Sequence, residues 1–182
     1  MIDIYKLKFT ILQQEIISFL IIKAGMSFNA RSIARQLKVS QTAISKSLPL
    51  LEKEKIVKIK KDKDSGRLSI ELNRDNKKVI NLKRVENLKI LYESEIVEFL
   101  LNIFPASTII LFGSYSFGED TINSDIDIAV VGYKQKNINL SKFEQRLERP
   151  ILIHFYLSFK EINKNLKENI LNGIVLKGGV EL

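Results

Sequence analysis

The sequence predicts two domains of different class joined by a helical connector. Residues 1–76 read as an α+β domain, mostly helical; residues 77–93 as the connector; residues 94–182 as an α/β domain built on a mixed sheet. Three observations predict this. The net positive charge is confined to the first half. In that half, apolar residues recur first at helical spacing and then at alternate positions. In the second half, a short apolar run opens into Gly113-Ser114, and a second run begins at Asp125-Ile126-Asp127.

The charge division is sharp. Residues 1–80 hold 17 Lys and Arg against 8 Asp and Glu, a net of +9, whereas residues 81–182 hold 12 against 13, a net of −1. The whole surplus therefore favours a polyanionic partner for the first domain. An apolar content of 45% suits a packed interior and argues against a disordered chain. The chain has no cysteine, which excludes a disulfide framework and thiolate metal sites and fits a reducing compartment. Its most apolar early stretch, Ile16 to Ile22, is far shorter than the roughly 20 residues a membrane span requires. Gln13, Gln14 and Glu15 precede it and Lys23 follows it, so it does not read as a signal-peptide core. The expectation is a soluble cytoplasmic protein with no membrane partner.

Ile11, Leu12, Ile16 and Leu20 recur every three to four residues and predict a helix over about 10–24, with Gly25 as its stop. A second helix follows from Ala30 to Leu37, with Ile33 and Leu37 on one face and Arg31 and Arg35 on the other. Ser40 is a good N-cap for a third, because its hydroxyl accepts from an amide two or three residues on. Ile44, Leu48 and Leu51 form the inward stripe of that helix. Gln41, Thr42, Ser45 and Lys46 then point outward near its start, as side chains that meet base edges and phosphates do. Pro49 is a misfit, since mid-helix proline removes a backbone bond and kinks the helix or ends its regular part. Val57 and Ile59 alternate with Lys58 and Lys60, Asp64-Ser65-Gly66 makes a turn, and Leu68, Ile70 and Leu72 return, which is a hairpin pattern. Lys61, Lys63 and Arg67 cluster at its tip.

Helix, helix, turn, helix and basic hairpin, over roughly residues 8–73, resemble the winged helix-turn-helix transcriptional regulators. The resemblance implies double-stranded DNA as partner, read by the third helix in the major groove with the wing against the backbone. A winged helix used for protein contacts is the other use of this fold. Regulators of this kind are commonly dimers, so a homodimer is implied by resemblance alone.

Beyond the polar cluster Asn73 to Asn76, Val85, Leu88, Leu91, Ile96, Phe99, Leu100 and Ile103 keep helical spacing. They predict one long helix or two abutting ones, broken near Ser94 and stopped by Pro105. The sequence leaves open whether this segment is a spacer or a dimer seam.

Thr108 to Phe112 is the pattern of a buried strand. Ten residues separate Gly113-Ser114 from Asp125, and Ile128 to Val131 continues the strand that Asp125 and Asp127 begin. Positions i and i+2 of a strand share a face, so the two carboxylates project together. Like charges that close repel unless a cation lies between them. An oxygen-only pair suits Mg²⁺, which takes one or two carboxylates plus phosphates and water. A Gly-Ser turn lets backbone approach a phosphate and offers a hydroxyl and amides to it. The two features together describe a metal–triphosphate clamp.

These residues resemble the minimal nucleotidyltransferases of the DNA polymerase beta superfamily, over about residues 94–182. The resemblance implies that Gly113, Ser114 and Gly118 contact an NTP such as ATP. It further implies that Asp125 and Asp127 are the catalytic metal ligands for Mg²⁺ or Mn²⁺, and that an NMP group is transferred to an acceptor. Active members carry a third carboxylate on a later strand, and the matching run here, Pro150 to Tyr156, has none; Leu152 or His154 occupies the position. The acids after Asp127 are Glu144, Glu148, Glu161, Glu168 and Glu181. Glu161 fits a capping box with Ser158 at the start of a helix Phe159–Leu171, with Gly173 at its end. His154 is either a base aimed at the site or a hydrogen-bonded strand residue.

Three functions fit the sequence. One is a DNA-associated nucleotidyltransferase. Another is a transcriptional regulator whose weakened nucleotidyltransferase fold senses nucleotide. The last is an antitoxin-like protein that modifies a protein acceptor.

Overall fold

The computed structural model describes residues 8–61 and 68–180, and the chain divides into two compact units, residues 1–79 and 80–182. In the first unit, α1 (Ile11–Ile22) is followed by β1 (Ser27–Phe28), α2 (Ala30–Leu37), α3 (Gln41–Lys53), β2 (Val57–Lys61) and β3 (Leu68–Leu72). Each helix starts where local chemistry satisfies its free amides. Thr10 forms a capping box with Gln13, and Asn29 accepts from Ser32 N and Ser40 from Ala43 N. Lys38, left-handed at φ 55°, turns the chain from α2 into α3.

Ile16, Leu20, Ile33, Ile44, Leu51, Ile56 and Ile70 are at most 1% exposed and make the core of this unit. Each such side chain contributes roughly 1.5–3 kcal/mol through burial. Gln13 is buried too, and its amide donates to the Ser47 carbonyl at 3.2 Å, linking α1 to α3. The sheet order is β1-β3-β2, all antiparallel, with Ile59 opposite Ile70. The strand β1 is absent from the sequence expectation, because two residues carry no period. Pro49 does not end α3, which continues to Lys53. The hairpin turn Asp64-Ser65-Gly66, with Lys63 and Arg67, lies outside the described residues.

The second unit takes in most of α4 (Lys77–Glu93), then α5 (Ile96–Ile103), β4 (Thr108–Phe112), α6 (Gly113–Phe117), β5 (Ile126–Val131), α7 (Ser141–Leu147), β6 (Ile151–Tyr156), α8 (Lys164–Leu171) and β7 (Ile174–Lys177). Its mixed sheet runs β6-β5-β4-β7, with β5 and β6 parallel and the other pairs antiparallel. One face packs Leu91, Val97, Leu100, Phe104, Ile109, Leu111, Ile126, Ile128 and Val130. The other packs Ile110, Phe112, Ala129 and Val131 against Phe159, Ile162 and Ile170.

Three sequence expectations change here. The break near Ser94 separates α4 from α5, with Glu95 left-handed at φ 68°, but the buried stripe of α4 is Val79, Lys83, Asn87 and Leu91, and Val85 is 68% exposed. The helix expected from Phe159 begins at Lys164 instead, capped by Asn163. Ser158 and Glu161 serve a turn rather than a helix start: Glu161 N donates to the Ser158 carbonyl, and the Glu161 carboxylate accepts from Leu157 N at 3.1 Å. Among the described residues, no helix is long and apolar enough to cross a membrane.

Candidate active site and nucleic-acid interface

On α3 the outward set is clear. Gln41, Thr42, Ser45 and Lys46 are exposed, while Ile44 and Leu48 beneath them are buried. The wing strand brings Lys60 and exposed Lys61 to its end, with Lys60 3.3 Å from Glu71. The geometry offers polar groups on a rigid helix and a basic strand on the same small scaffold.

In the second unit, β4 delivers the chain to Gly113 beside Asp127, since Phe112 pairs with Asp127 across the sheet. Gly113 has φ +71°, and a Cβ there would meet the Asp127 carboxylate oxygen at 2.7 Å. Glycine is therefore required twice over, by backbone conformation and by space. Ser114 follows on α6 and is partly exposed. Gly118 ends α6 at φ +75°, and a Cβ on it would lie 2.4 Å from the Ile80 carbonyl of α4. That glycine is fixed by packing against α4.

Asp125 stands just before β5, which begins at Ile126, and Asp127 lies within the strand, 26% exposed. The run between them and α6 is shaped by its own bonds: Thr121 N donates to Ser124 Oγ and Asn123 N to Thr121 Oγ1. On β6, Leu152 is in register with Asp127 and His154 with Ala129. His154 Nε2 lies 3.0 Å from Asp127 Oδ1, and its ring meets the edge of Phe112 at 5.2 Å. An ionised carboxylate only accepts, so a hydrogen bond to it from this ring is donated by Nε2. Among the described residues, no three His, Asp or Glu side chains gather to hold a metal ion by themselves. A cleft of about 480 Å³ opens elsewhere, lined by Thr108, Val131, Gly132, Ser158, Phe159 and Lys160. It sits at the opposite end of β4 and β5 from Gly113 and Asp127.

Sequence reasoning missed a buried polar group under the motif. Asp120 is 0% exposed, Lys83 1%, and Asn87 and Arg149 3% each. The Asp120 carboxylate accepts from Lys83 Nζ at 2.6 Å, Asn87 Nδ2 at 2.7 Å and Arg149 at 3.4 Å. Asn87 Nδ2 also donates to the Tyr115 carbonyl at 2.9 Å, and Arg149 to the Ile122 carbonyl at 3.2 Å. Burial, and next the Asp120 charge, hold the Tyr115 phenol above its ordinary pKa. The signal was present: Lys83 and Asn87 fill the four-residue stripe between Val79 and Leu91.

The second unit thus sets a Gly-Ser turn against a carboxylate-bearing strand of a mixed sheet, and the first unit runs helix, strand, helix, helix and two further strands. Residues 93–177, within the second unit, match the family model of the nucleotidyltransferase domain. Two solved structures are similar to part of the chain. The adhesin competence repressor AdcR of Streptococcus pyogenes is 20% identical, with 53% of this chain and 69% of that one covered and a TM-score of 0.41. A mutant of ZitR from Lactococcus lactis is 19% identical, with 54% and 64% covered and a TM-score of 0.41. No curated protein matches the chain.

Proposed function

We propose that this chain is a DNA-binding protein whose second unit binds an NTP with a divalent ion and transfers the NMP group to an acceptor, releasing pyrophosphate. The observation that carries the reading is Gly113, whose missing side chain leaves its backbone against the Asp127 carboxylate. That close approach brings the turn that would receive phosphates next to a group that would hold their counter-ion.

The donor set fits Mg²⁺ or Mn²⁺: Asp125 and Asp127 are both partly exposed oxygen ligands, and two carboxylates suffice when substrate phosphates complete the shell. Bound there, the ion would neutralise charge on the triphosphate during transfer. Gly113 and Ser114 would orient the phosphates through amides and hydroxyl. His154 would hold Asp127 through Nε2, leaving Asp127 Oδ2 and Asp125 for the ion. In the first unit, Gln41, Thr42, Ser45 and Lys46 would contact a major groove, with Lys61, Lys63 and Arg67 on phosphates.

Calorimetry with each NTP and Mg²⁺ or Mn²⁺ tests nucleotide binding, and labelled NTP tests transfer to DNA, RNA and protein acceptors. Absence of any metal-dependent nucleotide binding would sink the reading. A second reading, a nucleotide-sensing regulator with weakened catalysis, is favoured by β6, which carries Leu152 and His154 beside Asp127 and no acid. General base assistance contributes typically about 10²–10⁴-fold, so its loss would leave binding but slow transfer. Leu152 is paired with Asp127 and 44% exposed, so Leu152→Asp introduces an acid at little desolvation cost. Faster transfer in that variant supports the sensor reading, and brisk wild-type transfer surviving His154→Ala refutes it.

A further inference from the structure

Asp120 is a carboxylate with two cations and an amide around it, in the interior of a unit whose proposed chemistry happens elsewhere. Stability alone does not call for such a group. Buried ion pairs replaced by apolar residues of like volume are often as stable or more so. What the charged arrangement supplies is direction, and its bonds run to the two segments that carry the motif. Asn87 holds α6, which bears Ser114, through the Tyr115 carbonyl. Lys83 and Asn87 hold Asp120, and Arg149 holds both Asp120 and the Ile122 carbonyl, in the run leading to Asp125. Next to Arg149, the Pro150 carbonyl accepts from Ile126 N, between the two candidate ligands.

We infer that Lys83, Asn87 and Arg149 are positioning residues, which through Asp120 fix the distance between the Gly113-Ser114 turn and the Asp125–Asp127 pair. The inference rests on the nucleotide-binding reading of that site. It requires the run 118–125 to be set from α4 and from the start of β6, two elements with no proposed contact to nucleotide. Displacements near 1 Å are enough to degrade a site of this kind by orders of magnitude.

His154 is the only histidine in the chain. Its imidazole proton resonance is therefore an assignment-free reporter on Asp127. The experiment compares the full-length wild type with the charge-free variant Lys83→Met, Asp120→Leu, Arg149→Met. Nuclear magnetic resonance of His154 without ligand and calorimetry with ATP and Mg²⁺ are the two readouts. The expected result is a folded variant with a moved His154 resonance and at least tenfold weaker ATP binding. A resonance unmoved in the folded variant overturns the inference, whatever the nucleotide does. If the triple variant does not fold, Asn87→Ala, which leaves every charge paired, is judged by the same criterion. If wild type binds no ATP, the parent reading falls, and the resonance comparison still decides whether the network sets Asp127.

Discussion

In the first unit Gln41, Thr42, Ser45 and Lys46 stand exposed on α3 while Ile44, Leu48 and Leu51 on its other side fill an apolar core. In the second, Lys83, Asn87, Asp120 and Arg149 are themselves interior, and the candidate ligands Asp125 and Asp127 depend on the run those residues hold. The first design separates what folds the protein from what would meet a partner. The second makes them overlap. A pair of carboxylates isolates the physics. Glu54 on the surface has Lys8 at 2.5 Å and Lys78 at 3.3 Å; Asp120 has Lys83 at 2.6 Å and Arg149 at 3.4 Å. The charges and distances are nearly the same, but only the first is open to water.

The largest effect should come from Asp120→Asn. It leaves two buried cations facing a neutral amide, and losing one partner of a buried pair costs about 3–5 kcal/mol. Urea unfolding of the full chain followed by circular dichroism should show the second unit melting far earlier. Asp127→Asn, at a partly exposed position, should change stability by less than about 1 kcal/mol. Equal losses in the two variants would break the distinction between them.

Next in size is a loss of function without loss of fold. Asp125→Asn together with Asp127→Asn should abolish the metal-dependent heat of ATP binding, with thermal stability kept or slightly raised because two like charges are gone. Equal ATP affinity in wild type and variant would show that these carboxylates hold no ion.

A smaller effect is expected on α3. Gln41→Ala or Thr42→Ala should relax DNA sequence preference by roughly 1–3 kcal/mol per lost base contact while moving stability by less than about 0.5 kcal/mol. Lys61→Ala should instead weaken binding evenly over all sequences and reduce the salt slope by about 1. Gel-shift titrations over a salt series separate the two outcomes, and no affinity at low salt in the folded full chain ends the DNA-binding proposal.

The smallest effect belongs to Glu54. Its hydrogen bond from Lys8, then that from Lys78, lowers its pKa below the usual carboxylate value. A depressed folded pKa means stabilisation present above the unfolded pKa and lost as pH falls through the folded one. Acid melts of Glu54→Gln should thus approach wild type as pH drops, with only a slight difference at neutral pH. A neutral-pH loss comparable to that of Asp120→Asn would erase the contrast between surface and interior.

How much of this was legible in the sequence follows the same division. The bounds of α2, the Ser40 cap and the inward stripe of α3 could be read because mostly apolar residues face that core. The alternation of β6 put His154 on the side of Asp127, where its ring is found. The face of α4 was misread because half of its buried stripe is polar, and apolar periodicity cannot see Lys83 or Asn87. The start of α8 was misplaced because Ser158 and Glu161 satisfy a capping pattern that a turn uses as well. A strand of two residues, β1, becomes visible only through its partner Ile70.

The network around Asp120 also bears on how such a protein is assembled by recombination. The family match begins at residue 93, whereas the compact unit begins at residue 80. A gene crossover at residue 93 would pass on Asp120 and Arg149 without Lys83 and Asn87, stranding a carboxylate in the interior of its new host. A crossover near residue 80 carries all four. The heritable module is longer than the recognisable one by most of a helix, and its upstream boundary is drawn by two polar residues that share no motif with the rest.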